Sequence, residues 1–331
     1  TDGGCPVLLT EPQSTNLITQ SNDFSEWIAS GDTTVEGGYL SPDGTNNAYK
    51  VSGTTSALTF SGASETGTRT IYARTVSGTG TAHLCSFNTN TNNLFTITED
   101  WQRFEVTGAL ASGAAFFYGV DFRGGTDLTE ILLYGAQFEA LSYATSYIPT
   151  YGAVRTRLQD SVNGAGTSSD FNSEGVLFVE ASALVDSDGL DHTFELNNGL
   201  SGNYISLRYS VVSNLIRVYI YKSGVQEFFY QTTSYDVLNF NKFAIKYKEN
   251  DVSVYINGVE VASSNTASIP IGLNGLDFSN FIGGIPFFGK TSQIQVFKTA
   301  LTDSELELLT GNDIDYSSYA SMAAALNYNI S

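Results

Sequence analysis

Between Phe243 and Val261 the chain keeps a strict two-residue rhythm, and few folds can accommodate it. Phe243, Ile245 and Tyr247 fall on one side of an extended backbone, with Ala244, Lys246 and Lys248 on the other. Successive strand residues point to opposite faces, so this pattern is that of a half-buried strand. Glu249-Asn250-Asp251 interrupts it before Val252, Val254 and Ile256 resume on one face. Asn257-Gly258 then supplies the pair that tolerates positive φ in a two-residue hairpin turn, leading to Val259 and Val261. The stretch predicts an antiparallel meander. Residues 215–230 repeat the pattern, with Ile216, Val218 and Ile220 alternating against Arg217, Tyr219 and Tyr221 before a turn at Lys222-Ser223-Gly224.

The first half carries the same rhythm more weakly. Ile71 and Ala73 oppose Thr70, Tyr72 and Arg74, and further strands are expected at 82–87, 101–107, 114–122 and 130–138. Residues 142–170 lose the alternation, which sets a division near 152 and gives domains 1–152 and 153–331. A length of 331 residues fits two domains, each large enough for its own core. Tyr, Phe, Gly, Ser, Thr and Asn are abundant and Met occurs once, the chemistry of strands joined by tight turns. The class is all-β: two antiparallel β-sandwich (jelly-roll) domains in series, closed by short C-terminal helices. The first helix opens at Thr302-Asp303-Ser304-Glu305, a capping box, and stops at Gly311; the second spans 318–326.

Asp and Glu outnumber Lys and Arg by 34 to 15, a formal charge of -19. That repels nucleic-acid phosphates and anionic lipid, and no run is apolar enough to insert in a membrane. Acidic polysaccharides are disfavoured too, unless Ca²⁺ or a local basic patch intervenes; a neutral sugar meets no such barrier. Cys5 and Cys85 are too few for a disulfide framework, and the two are either bridged or free. The chain opens on Thr1 without an initiator Met or a signal peptide, which reads as a fragment or processed product.

Three sets of strings carry resemblances to known families. Residues 68–76 (Thr-Arg-Thr-Ile-Tyr-Ala-Arg-Thr-Val), 98–104 (Thr-Glu-Asp-Trp-Gln-Arg-Phe) and 131–139 (Ile-Leu-Leu-Tyr-Gly-Ala-Gln-Phe-Glu) resemble the galactose-binding-like jelly roll of carbohydrate-binding modules attached to xylanases. Residues 9–17 and 135–150, through Tyr143-Ala144-Thr145-Ser146-Tyr147-Ile148-Pro149-Thr150, look like phrases of phage tail and head-fibre proteins. Residues 252–258 and 289–306 resemble the concanavalin A-like or laminin G-like sandwich. These resemblances imply a non-catalytic glycan-binding adhesion protein of a virion or the extracellular space. It would recognise carbohydrate on a bacterial surface, as a homotrimer. The alternatives are a virion decoration or assembly protein without sugar binding, and an accessory module of a secreted polysaccharide-degrading enzyme.

Catalysis finds little support. The Glu-x-Asp-x-x-Glu strand of concanavalin A-like glycosidases is missing. The Tyr-x-Lys-x-Gly signature of alginate-type lyases meets Ile220 in place of its tyrosine, and Gln293-Ile294-Gln295 lacks the companion histidine. Sugar binding needs aromatic faces with polar neighbours. The candidates in the first half are Trp27, Tyr39, Tyr49, Phe116, Tyr118 and Arg123, with Trp101 assigned to the core by its place in a family core strand. In the second half Tyr204, Arg208, Tyr219, Tyr221 and Tyr230 are expected on the non-core side of their strands. His83 reads as a half-buried polar residue of a strand. Asp186, Asp188 and Asp191, just before His192, form an acidic surface turn whose carboxylates also suit Ca²⁺. The jelly-roll resemblance implies a second, structural Ca²⁺, with Glu11, Asn16 and Glu139 as oxygen donors. The aspartate usual in that family's last strand gives way near Tyr134.

Overall fold

The computed structural model describes residues 6–61, 66–85, 93–108 and 117–311. The chain forms two compact units, one from Pro12 to Gln159 and one from Asp160 onward together with the N-terminal residues up to Glu11. Lost alternation alone sets a division near 152; strand pairing sets it at Gln159. Arg155–Arg157 pairs with Ser14–Asn16 and so stays with the first unit, whereas Leu8–Thr10 pairs with Gly289–Phe297 and belongs to the second.

Each unit is a β-sandwich of antiparallel strands. In the first, one sheet has the order Gln102–Gly108, Gly67–Arg74, Glu130–Glu139, Ala48–Ser52, Thr34–Tyr39. The other runs Ile28–Ala29, Ala57–Ser61, Phe117–Asp121, Gly80–Leu84, Leu94–Ile97. Ile71 and Ala73 point inward, as their alternation requires, and join Leu84, Ile97, Ile131, Leu133 and Phe24 in one core. Gly135, at φ 61°, sits where the register shifts between Tyr134 and Gln137; Tyr72 and Tyr147 crowd the place of any Cβ. His83 is buried, with Nδ1 against Asn93 Oδ1 at 3.1 Å. Trp101 departs from expectation: it is only half-buried, outside the strand that starts at Gln102, with the Arg74 guanidinium 5.5 Å from its ring. Cys85 is buried, and Cys5 lies outside the described residues.

The second unit sets a six-stranded sheet against a five-stranded one. The first has the order Leu8–Thr10, Gly289–Phe297, Gly175–Ala183, Asn241–Tyr247, Val252–Ile256, Val259–Ser264. The second runs Val225–Thr232, Ile216–Lys222, Tyr204–Tyr209, His192–Asn197, Gly275–Asp277. Phe243, Ile245, Val254 and Ile256 from one sheet meet Ile205, Leu207, Val218 and Ile220 from the other in a closed core. Each such side chain contributes about 1.5–3 kcal/mol by leaving water. Asn257 and Gly258 take φ of 51° and 85°, the paired positive values their hairpin demands. The helix Asp303–Thr310 has the full capping box at Thr302 and Glu305 and packs Leu306 and Leu309 on the outer face of the six-stranded sheet. The second expected helix lies outside the described residues.

Candidate functional site

With Ile216, Val218 and Ile220 committed to the core, the period of two forces Arg217, Tyr219 and Tyr221 onto the opposite face of the five-stranded sheet. Register then fixes their neighbours in three rows. Gln231, Arg217, Arg208 and Thr193 form one row across four strands. Phe229, Tyr219, Ser206, Glu195 and Asp277 form the next. Tyr221, Tyr204, Asn197 and Gly275 form the third. The sheet therefore carries an aromatic band beside a cationic row, over a polar floor.

The band is continuous. Tyr204 and Tyr221 stack with centroids 4.8 Å apart and planes inclined by 18°. Tyr219 lies 6.2 Å from Tyr221 and 5.1 Å from Phe229. The Arg208 guanidinium sits 4.9 Å from the Tyr219 ring centre and 5.7 Å from that of Tyr204, within cation–π range of both. Phe229 is 42% exposed, so the end of the band is open to a ligand. Within the stack the rings cover one another, so the apolar face left to a ligand is at the Phe229 end, with tyrosine hydroxyl groups along the rim.

The floor is closed and hydrogen-bonded. Asp277 accepts from the Gly164 amide at 2.5 Å and from Asn197 Nδ2 at 2.7 Å. Glu195, 1% exposed, accepts from the Phe281 amide at 3.0 Å, and its other oxygen stands 3.8 Å from Arg208. Burial pushes its pKa up to about 7; Phe281 and Arg208 pull the other way. Ser206 Oγ, fully buried, makes no hydrogen bond among the described residues. Glu195 and Asp277 are the residue types of a glycosidase pair, but both are buried, at 1% and 7% exposure, and engaged by hydrogen bonds from within the fold. Tyr204 is likewise raised, to about 12, chiefly by burial.

Of the residues singled out in the sequence, Tyr204, Arg208, Tyr219 and Tyr221 share this face. Tyr230 does not: it pairs with Val218 and packs against the core, and Phe229 takes its place outside. Phe228-Phe229-Tyr230 has no alternation, and a register shift between Ile220 and Tyr221 sets the phase there. Arg217 and Glu195 also belong to this face; the alternation of its strand marks Arg217 as outward in the sequence, whereas nothing local marks Glu195.

The first-unit candidates do not assemble in this way. Trp27 is 5% exposed in the core, its indole N–H donating to the Gln20 carbonyl at 2.8 Å, so it offers no face to a ligand. The Tyr39 hydroxyl donates to Glu36 at 2.9 Å, and Tyr49 donates to Asp23 at 3.0 Å. Arg123 grips Asp121 through Nε and a terminal nitrogen, both at 2.8 Å. Phe116 and the Tyr118 side chain lie outside the described residues.

The expected Ca²⁺ donors are engaged in other work. Asn16 donates to the carbonyls of Ala136 and Ile148 and accepts from the amides of Ile18 and Phe138. Glu139, wholly buried, accepts from Ser14 Oγ at 2.6 Å and from the amide and hydroxyl of Thr145. Glu11 falls in the other unit. Asp186 binds Ser213 and Asn214, Asp188 binds Leu190 and His192, and Asp191 binds Ser210. Their donors come from residues 190–192 and 210–214, and among the described residues no group of three His, Cys, Asp or Glu side chains is placed to hold a metal ion. His192 is held by Asp188 and the Pro286 carbonyl; burial opposes its charge, but these partners raise its pKa. The six-stranded sheet carries an open groove of about 440 Å³, where Lys246 bridges Asp251 at 2.8 Å and Asp303 at 3.0 Å.

No protein-family model and no curated protein matches the chain. Solved structures are similar at low identity. The CBM40 of a Ruminococcus gnavus IT-sialidase, bound to α2,3-sialyllactose, is 15% identical over 46% of this chain and 97% of its own, with a TM-score of 0.37. Domain 4 of a GH43 extracellular arabinanase from Geobacillus stearothermophilus, in complex with arabinotriose, is 18% identical over 51% and 80%, with a TM-score of 0.38. Sheep galectin-11, in complex with glycerol, is 12% identical over 42% and 95%, with a TM-score of 0.29.

Proposed function

We propose that this protein is a non-catalytic glycan-binding module, and that the aromatic band of the second unit is its binding surface. The observation that carries this reading is the stack of Tyr204 on Tyr221, continued by Tyr219 and Phe229, with Arg208 packed against two of the rings. The C–H faces of pyranose rings lie flat on such surfaces. Hydroxyl and guanidinium groups at the edges meet the sugar hydroxyls.

The setting we propose is a phage tail or head fibre that meets carbohydrate on a bacterial surface, in the virion or the extracellular space. The fibre-like phrases at residues 9–17 and 135–150 support it. Weak single sites gain avidity when several copies, such as the three of a trimeric fibre, engage one surface. A purified-chain screen against a glycan array that includes host-cell polysaccharide tests the reading. Binding is expected, and Tyr219→Ala with Tyr221→Ala should weaken it by at least about 1 kcal/mol per ring, roughly fivefold each. Tyr39→Ala should leave it unchanged. No binding to any glycan by a folded chain would leave the structural virion role instead.

A further inference from the structure

The cationic row beside the aromatic band has a feature that a neutral sugar does not use. Arg208 and Arg217 are direct cross-strand partners, which sets their Cβ atoms about 4.5–5.5 Å apart on one face. Both Nε atoms are buried without a hydrogen bond among the described residues. Among the described residues the one ion pair of Arg208 is the 3.8 Å approach of Glu195, beyond hydrogen-bond reach. Arg217 makes no ion pair with any described carboxylate. Lys222, at the end of the same strand, is already matched by Glu249 at 3.7 Å. Two adjacent guanidiniums without full partners are unexpected in a chain of formal charge -19. Like charges directly opposite each other on a sheet oppose folding.

From this geometry we infer that the face selects carboxylated glycans, with the sugar ring at the Tyr219–Phe229 end of the band and its carboxylate between Arg208 and Arg217. The inference rests on the glycan-binding reading above and names its ligand class. A guanidinium presents its donors in a planar fork that matches the two oxygens of a carboxylate. Arg208 is held against two tyrosine rings, so its fork is oriented before a ligand arrives. A carboxylate in the row would also relieve the repulsion between the two cations. The local field thus reverses the preference for neutral glycans that the whole-chain charge suggests.

The test is a set of carboxylated oligosaccharides, of uronic-acid and nonulosonic-acid types, each paired with its methyl ester and measured by titration calorimetry on the full chain. The acid is expected to bind about tenfold or more tightly than its ester, since hydrogen bonds to a charged group exceed neutral ones. That preference should shrink as salt is raised, while ester binding stays constant. Arg217→Gln should bring acid binding down to the ester level, and Arg217→Lys should restore part of it. Thermal unfolding of each variant confirms that it is folded. Equal binding of acid and ester, with both lost in Tyr219→Ala, overturns the selectivity while the glycan reading stands. Preference for the acid retained in Arg217→Gln overturns it as well. No binding of either form overturns both.

Discussion

Glu195 gives the sharpest handle on the site, because its burial leaves a signature in stability against pH. Its pKa rises from 4.5 to about 7 in the folded protein, chiefly through burial. A carboxyl group with a raised folded pKa favours folding while protonated. Its contribution is therefore complete below pH 4.5 and is lost as pH rises through about 7. The shift of about 2.5 pH units, at 1.36 kcal/mol per unit, amounts to about 3 kcal/mol. Glu195→Gln keeps an oxygen to accept from the Phe281 amide and removes the charge. The variant should match the wild type near pH 4 and become more stable above pH 7, with the gap opening between these limits toward about 3 kcal/mol. Other titrating groups cancel in the difference. Both tryptophans, Trp27 and Trp101, lie in the first unit, so indole fluorescence does not report on this sheet. Urea unfolding followed by hydrogen exchange of peptides spanning 192–209 reads it directly. A difference that stays flat with pH, or a wild type that is the more stable at pH 8, would refute the reasoning. The second result would mean that the ionised carboxylate gains more from Arg208 than it loses by burial.

Two further perturbations follow from the same accounting of partners. Glu139→Ala leaves Ser14 Oγ and the Thr145 amide without their buried acceptor. It should destabilise the first unit by about 3 kcal/mol or more, read by Trp fluorescence in urea; a change under about 1 kcal/mol would mean water replaces the carboxylate. Arg217→Gln removes a like-charge cross-strand pair and should stabilise the second unit by about 0.2–1 kcal/mol, a small rise in Tm at low salt that fades at high salt. A fall in Tm would show that Arg217 packs rather than repels.

The fold was legible wherever one face of a strand is apolar and the other is not. Phe243, Ile245, Val254 and Ile256 identified their strands, their turn and their inward face, because each requirement acts over a few residues. Trp101 and Trp27 show the limit of that logic. A tryptophan satisfies its apolar body equally by burial, as at Trp27, or by an arginine laid over its ring, as at Trp101. Only the surrounding sheet decides between them. Tyr230 failed for another reason, since the run Phe228-Phe229-Tyr230 has no phase and a bulge assigns it. The acidic residues show how partners complete an acidic surface turn. Asp188 finds its partners nearby, in the Leu190 amide and the His192 imidazole, whereas Asp186 and Asp191 reach the hydroxyls of Ser213 and Ser210 and Glu139 reaches that of Ser14, partners set by the fold and not by the local sequence.

The net charge carries the most instructive contrast between chain and surface. A sum of -19 describes the average field a polyanion meets on approach, a field that ordinary salt confines to about 10 Å of the surface. At contact the field is set by the few groups within reach of the ligand. On the aromatic face those groups are two guanidiniums, with a buried carboxyl group beside them that is mostly protonated below neutral pH. The same burial that raises Glu195 thereby leaves Arg208 short of a countercharge, so the floor of the sheet and the cation above it act as one device. Glu195→Gln should consequently preserve acid binding at pH 6 and improve it relative to wild type at pH 8, where the native carboxylate competes for Arg208. Titration of the matched acid and ester glycans at the two pH values checks this. An unchanged ratio between variant and wild type at both would separate the buried carboxyl group from the binding face.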